Sequence, residues 1–167
     1  MEYTPILFAI FVGFTHAFEA DHLVAVSNIV TKRNNTILAI KDGIFWGLGH
    51  TSTILLIGCI FILGRFTFQE TDFKYLESAV GLMLIVLGSY RFLKKQPKPH
   101  QHNHSVHSHQ LAYGVGLVHG LAGSGAIVLT VLATIKGTLS GILYLLIFGI
   151  GSIAGMMLAA GIFSVPF

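Results

Sequence analysis

Residues 13–26 read GFTHAFEADHLVAV, an apolar run that contains two acids and two histidines. Outside this run, the nearest charged residues are Glu2 on one side and Lys32 on the other. A carboxylate at the centre of a membrane helix costs about 2.5–3.5 kcal/mol on insertion scales, so ionisable residues in such segments usually have a function. The run therefore predicts a functional site that contains His16, Glu19, Asp21 and His22.

The composition is that of an integral membrane protein. The 167 residues are 53% hydrophobic and 10% charged, whereas a soluble domain has about 25% charged residues. The net charge is +3, but the basic residues lie between apolar runs, which predicts a role in topology and no nucleic-acid partner. Cys59 is the single cysteine, which excludes an intramolecular disulfide and a cysteine-cluster metal site. The N-terminus has no basic segment or cleavage site, so we expect the first apolar run to be retained.

Five apolar runs are each near the roughly 20 residues that a helix needs to cross a bilayer. They cover approximately residues 5–30, 43–64, 73–92, 111–135 and 137–167. The ten-residue alternation of outer-membrane strands is absent, and helices satisfy their own backbone groups in lipid. The predicted fold class is an all-α integral membrane protein with five transmembrane helices, and its partner is the lipid bilayer.

The distribution of lysine and arginine predicts the orientation. Three basic residues flank the second, third and fifth runs on one side, and seven lie on the other: Lys32, Arg33, Lys41, Arg91, Lys94, Lys95 and Lys98. The side that is richer in basic residues is expected in the cytoplasm. We therefore expect a multi-pass protein of the inner or plasma membrane, with its N-terminus outside.

A histidine-rich segment, residues 96–110, separates the third and fourth runs. It contains His100, His102, His104, His107 and His109. Pro97 and Pro99 discourage a helix, and the polar sequence has nothing to bury, so the segment is predicted to be a mobile cytoplasmic loop. Imidazoles are largely neutral near pH 7 and bind divalent metals. We expect this loop to concentrate or sense metal, and a solvated spacer is the alternative.

The sequence also contains an internal repeat. VGFTHAFEADHLVAV (12–26) resembles VGLVHGLAGSGAIVL (115–129), and FWGLGHTSTILLIGCIF (45–61) resembles IFGIGSIAGMMLAAGIF (147–163), at offsets of 103 and 102 residues. Residues 1–95 would form one three-helix repeat, and residues 111–167 an incomplete second repeat of two helices. Because three is odd, the second copy is inverted, an architecture typical of transporters. A missing sixth helix, a second chain or a homo-oligomer is expected to complete the 3+3 arrangement.

Helical geometry sorts the polar residues of the first run. At about 100° per residue, His16, Glu19 and His22 form one stripe, whereas Asp21 points about 100° away from His22. Either the helix is distorted, with Gly13 as a candidate point of bending, or Asp21 orients a histidine ring from behind. His50 in the second run and His119 in the fourth lie at similar depth. A lone buried histidine is more often a packing group, but three histidine-bearing helices at one depth predict a shared site.

Imidazole and carboxylate ligands without thiolate suit nickel, cobalt, zinc, iron or manganese. The predicted ligands are His16, His22 and His50, with His119 as a fourth and Asp21 as ligand or orienter. Glu19 is predicted to be a gate or a proton-coupled carboxylate. We therefore expect metal transport and no enzyme activity, with no cofactor beyond the bound or transported metal.

Two other classes of function compete with transport. A membrane serine hydrolase would use Ser124 with His119 or His16, but Ala122 stands where the intramembrane protease motif has glycine. A metal-binding sensor or accessory subunit would bind the ion without moving it. Binding without flux in reconstituted liposomes would indicate the second of these.

Three motifs resemble the nickel/cobalt transporter (NiCoT) family. HAFEADH (16–22) resembles its H-x4-D-H signature, LGHTST (48–53) resembles its second intramembrane motif, and HGLAGSGA (119–126) resembles the branch labelled urease accessory protein H-like. The resemblance implies transmembrane movement of Ni²⁺ or Co²⁺ that requires His16, Asp21 and His22. Glu19 stands where many members have Asp, and the chain has fewer than the six or more spans of its relatives. The family contains importers and exporters, so the direction stays open.

Overall fold

The part of the chain that the structure describes is helical. The computed structural model of the protein describes residues 4–30, 33, 35–64, 70–93, 105–123, 135 and 137–165. Within them lie six α-helices: α1 (Thr4–His16), α2 (Ala20–Val30), α3 (Thr36–Gly64), α4 (Glu70–Leu93), α5 (Ser105–Gly123) and α6 (Thr138–Phe163). None of the described residues forms a strand, as expected where the backbone must satisfy its own hydrogen bonds.

Two described helices are long and apolar enough to cross a membrane by themselves. α3 has 29 residues and α6 has 26, so at about 1.5 Å per residue each exceeds the roughly 30 Å of the hydrocarbon core. α1 and α2 together form a third candidate span with a bend of 59° between them. The described residues thus belong to a helical membrane protein and contain two or three candidate spans, and the five-span arrangement stays a prediction.

Helix α1 packs closely along α6 through glycines. A Cβ atom added at Gly13 would overlap the carbonyl oxygen of Phe148, and one at Gly155 would lie 2.6 Å from the methyl of Ala17. Gly151 lies between these contacts, against the backbone of α1. Residue numbers rise together along the two helices, so α1 and α6 are parallel. Small residues permit this approach of one backbone to another.

Helices α3 and α5 pack in the same way. A Cβ atom at Gly116 would overlap the carbonyl oxygen of Trp46, and one at Gly120 would lie 2.5 Å from that of His50. Gly49 of α3 lies in turn against the backbone of α5. These pairs also rise together, so α3 and α5 are parallel. Gly49 and Gly120 thus permit the close approach of the two helices.

Helices α3 and α6 cross in antiparallel orientation. Gly43 near the start of α3 contacts Ala160 near the end of α6, and Gly58 near the end of α3 contacts Leu145 near the start of α6. Helices α1 and α6 therefore run one way, and α3 and α5 run the other. The first turns of α3 and α5 consequently lie at one end of the bundle, which we call the Asp42 end.

Large apolar side chains cover the outside of the helices. Leu56 of α3 and Ile150 of α6 are each more than half exposed. On a water-soluble protein such a surface would mark an interface. On helices of this length it is the surface that lipid covers.

Helix α5 begins earlier than the sequence predicts. His107 and His109 lie in its first turns, although both belong to the segment predicted to be a loop. Nδ1 of His109 lies 2.6 Å from Oδ1 of Asp42 on α3, so this end of the polar segment has a buried partner and can order as helix. The other three histidines of the segment, His100, His102 and His104, lie outside the described residues.

Candidate metal centre

The first apolar run is broken directly after its first histidine. Helix α1 ends at His16, and α2 begins at Ala20. Between them the backbone makes tighter turns, in which the amide of Phe18 donates to the carbonyl of Thr15 and that of Glu19 donates to the carbonyl of His16. The predicted distortion is therefore present, but it lies at residues 17–19 and not at Gly13, which is instead packed inside α1 against α6.

The start of α2 is stabilised by its own acidic residue. The Asp21 carboxylate accepts a hydrogen bond of 2.9 Å from the backbone amide of His22. A carboxylate in the first helical turn also interacts favourably with the positive end of the helix dipole. Asp21 therefore favours a new helix at this point, even though the connecting residues Ala17–Glu19 include neither glycine nor proline.

The break brings together histidines that regular helical geometry would spread apart. The ring centroids of His16 and His22 lie 4.4 Å apart. His50 from α3 lies 5.0 Å from His22 and 5.4 Å from His16. His119 from α5 lies 4.3 Å from His22. We call these four residues, all of them buried, the histidine cluster.

Two sets of potential ligand atoms occur within this region. Those of His16, His22 and His50 lie within 4.8 Å of one another, and so do those of Asp21, His22 and His119. His22 is common to both sets and lies at the centre of the cluster. Since imidazole nitrogens that converge in this way can share one ion, the geometry is compatible with a single site formed by four helices.

Asp21 bridges two of the rings. Its Oδ1 lies 2.9 Å from Nδ1 of His22, and its Oδ2 lies 3.0 Å from Nε2 of His119. When these nitrogens donate their protons to the carboxylate, Nε2 of His22 and Nδ1 of His119 keep their lone pairs. Asp21 thus occupies the position of an orienting carboxylate of the kind that fixes the tautomers of metal-binding histidines.

The remaining imidazole nitrogens of the cluster are buried without a hydrogen-bond partner among the described residues. They include Nε2 of His16, Nε2 of His22, both ring nitrogens of His50 and Nδ1 of His119. A buried polar group without a partner costs about 1–3 kcal/mol, and native proteins contain few of them. Several such nitrogens in one place are the donor set that a metal ion would satisfy.

Glu19 lies at the edge of this arrangement. Its side chain is 52% exposed, and Oε1 lies 2.9 Å from Nδ1 of His16, at an angle that does not make a hydrogen bond. Asp21 is less exposed, at 35%. The two acids of the first run therefore have different surroundings, since Asp21 bonds to two rings and Glu19 is half exposed beside His16.

Aromatic rings enclose the cluster. Trp46 of α3 lies 5.6 Å from His22 and 5.8 Å from His119, and Phe148 of α6 lies 5.5 Å from His16. Both aromatic side chains are almost fully buried. They limit the space around the histidines, and neither was predicted from the sequence to lie at the site.

A second buried polar cluster lies at the Asp42 end. The Arg33 guanidinium donates from Nε to Oδ2 of Asp42 at 2.6 Å and from a terminal nitrogen to Oδ1 at 3.0 Å, and His109 completes the group. We call these three residues the charged cluster. Asp42 directly precedes the second apolar run and was not predicted to be a functional residue; its position two turns before His50 on one helix was the signal that could have identified it.

Two known proteins are similar to this chain. The urease accessory protein UreH of Bacillus sp. (strain TB-90) is 36% identical over an alignment that covers 93% of this chain and 74% of that protein. The high-affinity nickel transport protein of Cupriavidus necator is 33% identical over 88 residues, 52% of this chain and 24% of that protein. No protein-family model and no solved structure matches. By its similarity to UreH over nearly its whole length, the chain belongs to the UreH branch of the nickel/cobalt transporter-like proteins.

Proposed function

We propose that the protein carries Ni²⁺ or Co²⁺ across the membrane through the histidine cluster. The observation that carries the proposal is the set of buried imidazole nitrogens that lack hydrogen-bond partners and come from α1, α2, α3 and α5. An ion bound there would be held by residues of several helices, so movement of those helices would change its coordination. The relatives agree with this chemistry, since one is named a nickel transport protein and another a urease accessory protein.

The donor set favours a borderline divalent ion. His16, His22, His50 and His119 supply imidazole, and the single cysteine, Cys59, is not part of the set. Imidazole suits nickel, cobalt and zinc, whereas calcium and magnesium prefer oxygen ligands. Asp21 contributes negative charge and fixes two rings, so it lowers the cost of placing a divalent cation inside the membrane.

The contacts of the glycines support the inverted repeat. At the two repeat offsets, Gly13 corresponds to Gly116 and Trp46 corresponds to Phe148. Gly13 packs against Phe148, and Gly116 packs against Trp46, so the same contact occurs in both halves. The contact of Gly47 with Ile153 likewise corresponds to that of Gly149 with Thr51.

The helix directions support the same architecture. Because α3 runs with α5 while α1 runs with α6, the two related helices α1 and α5 point in opposite directions. We therefore infer two inverted repeats with the metal site between them.

The orientation in the membrane is inferred from charge alone. Seven of the ten lysines and arginines lie in the segments around residues 31–41 and 91–98, so the Asp42 end would face the cytoplasm. His100, His102, His104, His107 and His109 would then meet metal on the cytoplasmic side, where they could concentrate or sense it.

A sensor or accessory role is the second candidate function, and the name of the UreH relative favours it. Such a protein would bind metal in the histidine cluster and pass no ion. The two functions share one site and differ only in flux, so one experiment separates them.

The test uses the full chain in proteoliposomes that contain a metal-quenched dye. We expect entry of Ni²⁺ or Co²⁺ with the unsubstituted protein, and no entry with His50→Ala. Ser52→Ala is the matched control, because Ser52 lies two residues further along α3 with an exposed side chain that bonds only to its own helix, and flux should persist. Metal binding without flux in the unsubstituted protein would establish the sensor function, and absence of binding would overturn the site.

A further inference from the structure

The charged cluster and the histidine cluster each contain a residue from the same face of α3. Asp42, Trp46 and His50 follow at intervals of four residues along α3, so their side chains lie on one face about 6 Å apart. Trp46 therefore separates the buried carboxylate of Asp42 from the imidazole of His50.

Helix α5 repeats this order from the other side. His109, Gly116 and His119 follow one another along it, and a Cβ atom at Gly116 would lie 2.9 Å from the indole ring of Trp46. The indole thus fills the layer between His109 and His119. Trp46 is fully buried, and its indole nitrogen has no hydrogen-bond partner among the described residues.

The charged cluster ties three segments together at this end. Arg33 follows α2, Asp42 belongs to α3 and His109 to α5, and the side chain of Asp42 is completely buried between its two partners. The ring of Phe45 stacks on that of His109, with centroids 5.2 Å apart and planes 16° from parallel. Separation of α3 from α5 at this end would have to break contacts to a buried carboxylate, which removal of a partner leaves uncompensated.

The opposite end of the histidine cluster has no equivalent of this arrangement among the described residues. The positions 102 residues after Asp42 and Trp46 are Tyr144 and Phe148. Phe148 covers His16 much as Trp46 covers His22, but Tyr144 packs in an apolar cluster with Ala9 and Leu145. The two ends thus have related aromatic barriers, and a carboxylate secures only one of them.

We propose that Arg33, Asp42 and His109 form a latch that keeps Trp46 closed over the histidine cluster, so that metal exchanges at the Asp42 end only when this latch opens. The proposal rests on the proposed function, because it assigns a gate to the same transport site. His109 then has a role that differs from that of the other histidines in its segment, because it contacts Asp42 and helps to keep Trp46 in the closed position.

The test measures solvent access to the buried core that contains Trp46. Cys59→Ala removes the only native cysteine, and Ala112→Cys introduces one on α5 at a fully buried position in the same core as Trp46. The rate of labelling by a charged, water-soluble thiol reagent is measured on the full chain in detergent. Loss of a partner from the buried Asp42 carboxylate should destabilise the closed state by at least about 1.4 kcal/mol, which raises the equilibrium constant for opening about tenfold. We therefore expect Asp42→Asn and His109→Gln each to accelerate labelling about tenfold or more.

Lys41→Gln is the matched control, because Lys41 is the exposed neighbour of Asp42 and its charge lies outside the latch. An equal labelling rate in His109→Gln and Lys41→Gln would overturn the latch, and His109→Gln decides the question even if Asp42→Asn fails to fold. Retained Ni²⁺ binding in each variant verifies the fold. Labelling does not depend on metal flux. If His109→Gln accelerated labelling but the unsubstituted protein passed no metal, the latch would stand and only the transport function would be refuted.

Discussion

Two polar clusters lie about two helical turns apart in this protein. They differ in whether their buried polar atoms have hydrogen-bond partners. In the charged cluster, both oxygens of Asp42 accept short contacts from Arg33, and one also accepts from His109. In the histidine cluster, five ring nitrogens besides Nδ1 of His16 have no hydrogen-bond partner among the described residues. The first cluster is complete as it stands, whereas the second is complete only with a ligand.

This difference separates a structural group from a binding group. A fully paired buried charge fixes the position of its helices but offers nothing to an ion. Unpaired buried imidazoles destabilise the fold by about 1–3 kcal/mol each unless something binds them. The glycine contacts around His50 supply the close packing that holds such rings together.

The largest effect is expected from the residue that both ligand sets share. His22→Ala should reduce Ni²⁺ affinity by more than about 100-fold, since loss of an orienting partner alone costs about 10–100-fold. Isothermal titration calorimetry of the purified chain measures this, with Val24→Ala on the exposed side of α2 as control. If the His22→Ala variant bound Ni²⁺ as tightly as the Val24→Ala variant, the histidine cluster would not be a metal-binding site.

Asp21→Asn should produce the next largest effect. Asparagine keeps the shape of the side chain, but it has only one acceptor oxygen for two ring N–H groups and lacks the negative charge. Affinity for Ni²⁺ should fall about 10–100-fold, and the titration should show the same stoichiometry. A total loss of sites would instead make Asp21 a ligand, and an unchanged affinity would remove it from the centre.

Gly116→Ala tests whether helix packing assembles the histidine cluster. The added methyl would overlap the backbone of Trp46, and overpacking of this kind costs about 1–3 kcal/mol. A lower melting temperature in detergent is expected, together with weaker Ni²⁺ binding. Gly114→Ala is the matched control on the same helix, because nothing lies within 4 Å of its added methyl; its melting temperature should rise or stay unchanged. Equal melting temperatures in the two variants would contradict the packing argument.

Glu19→Gln should have the smallest effect. Glu19 is half exposed, and exposed ion pairs contribute about 0–1 kcal/mol, so Ni²⁺ affinity should change by no more than about fivefold. The same titration checks this. A loss as large as that of Asp21→Asn would show that Glu19 belongs to the centre and does not lie at its edge.

The sequence was sufficient for the broad class of the protein and for the residues that meet. Low charge and long apolar runs predict a membrane protein because the bilayer admits few other compositions. His16, His22, His50 and His119 were predicted from their depth in three apolar runs, and the structure places their rings together. Their role as metal ligands stays a prediction, as do five spans and the inverted repeat.

Only the tertiary structure decided how these residues are used. Periodicity gives the angle of a residue on a straight helix, but α1 ends at His16 and a 59° bend follows, so the predicted angles do not hold across it. The position of Asp21 between His22 and His119 depends on α5, 98 residues away in sequence. Asp42 and His109 likewise looked like a span boundary and a loop residue, because each finds its partner only when α3 and α5 pack. Sequence specifies which groups are present and at what depth, whereas their pairing is set by helix contacts distant in the chain.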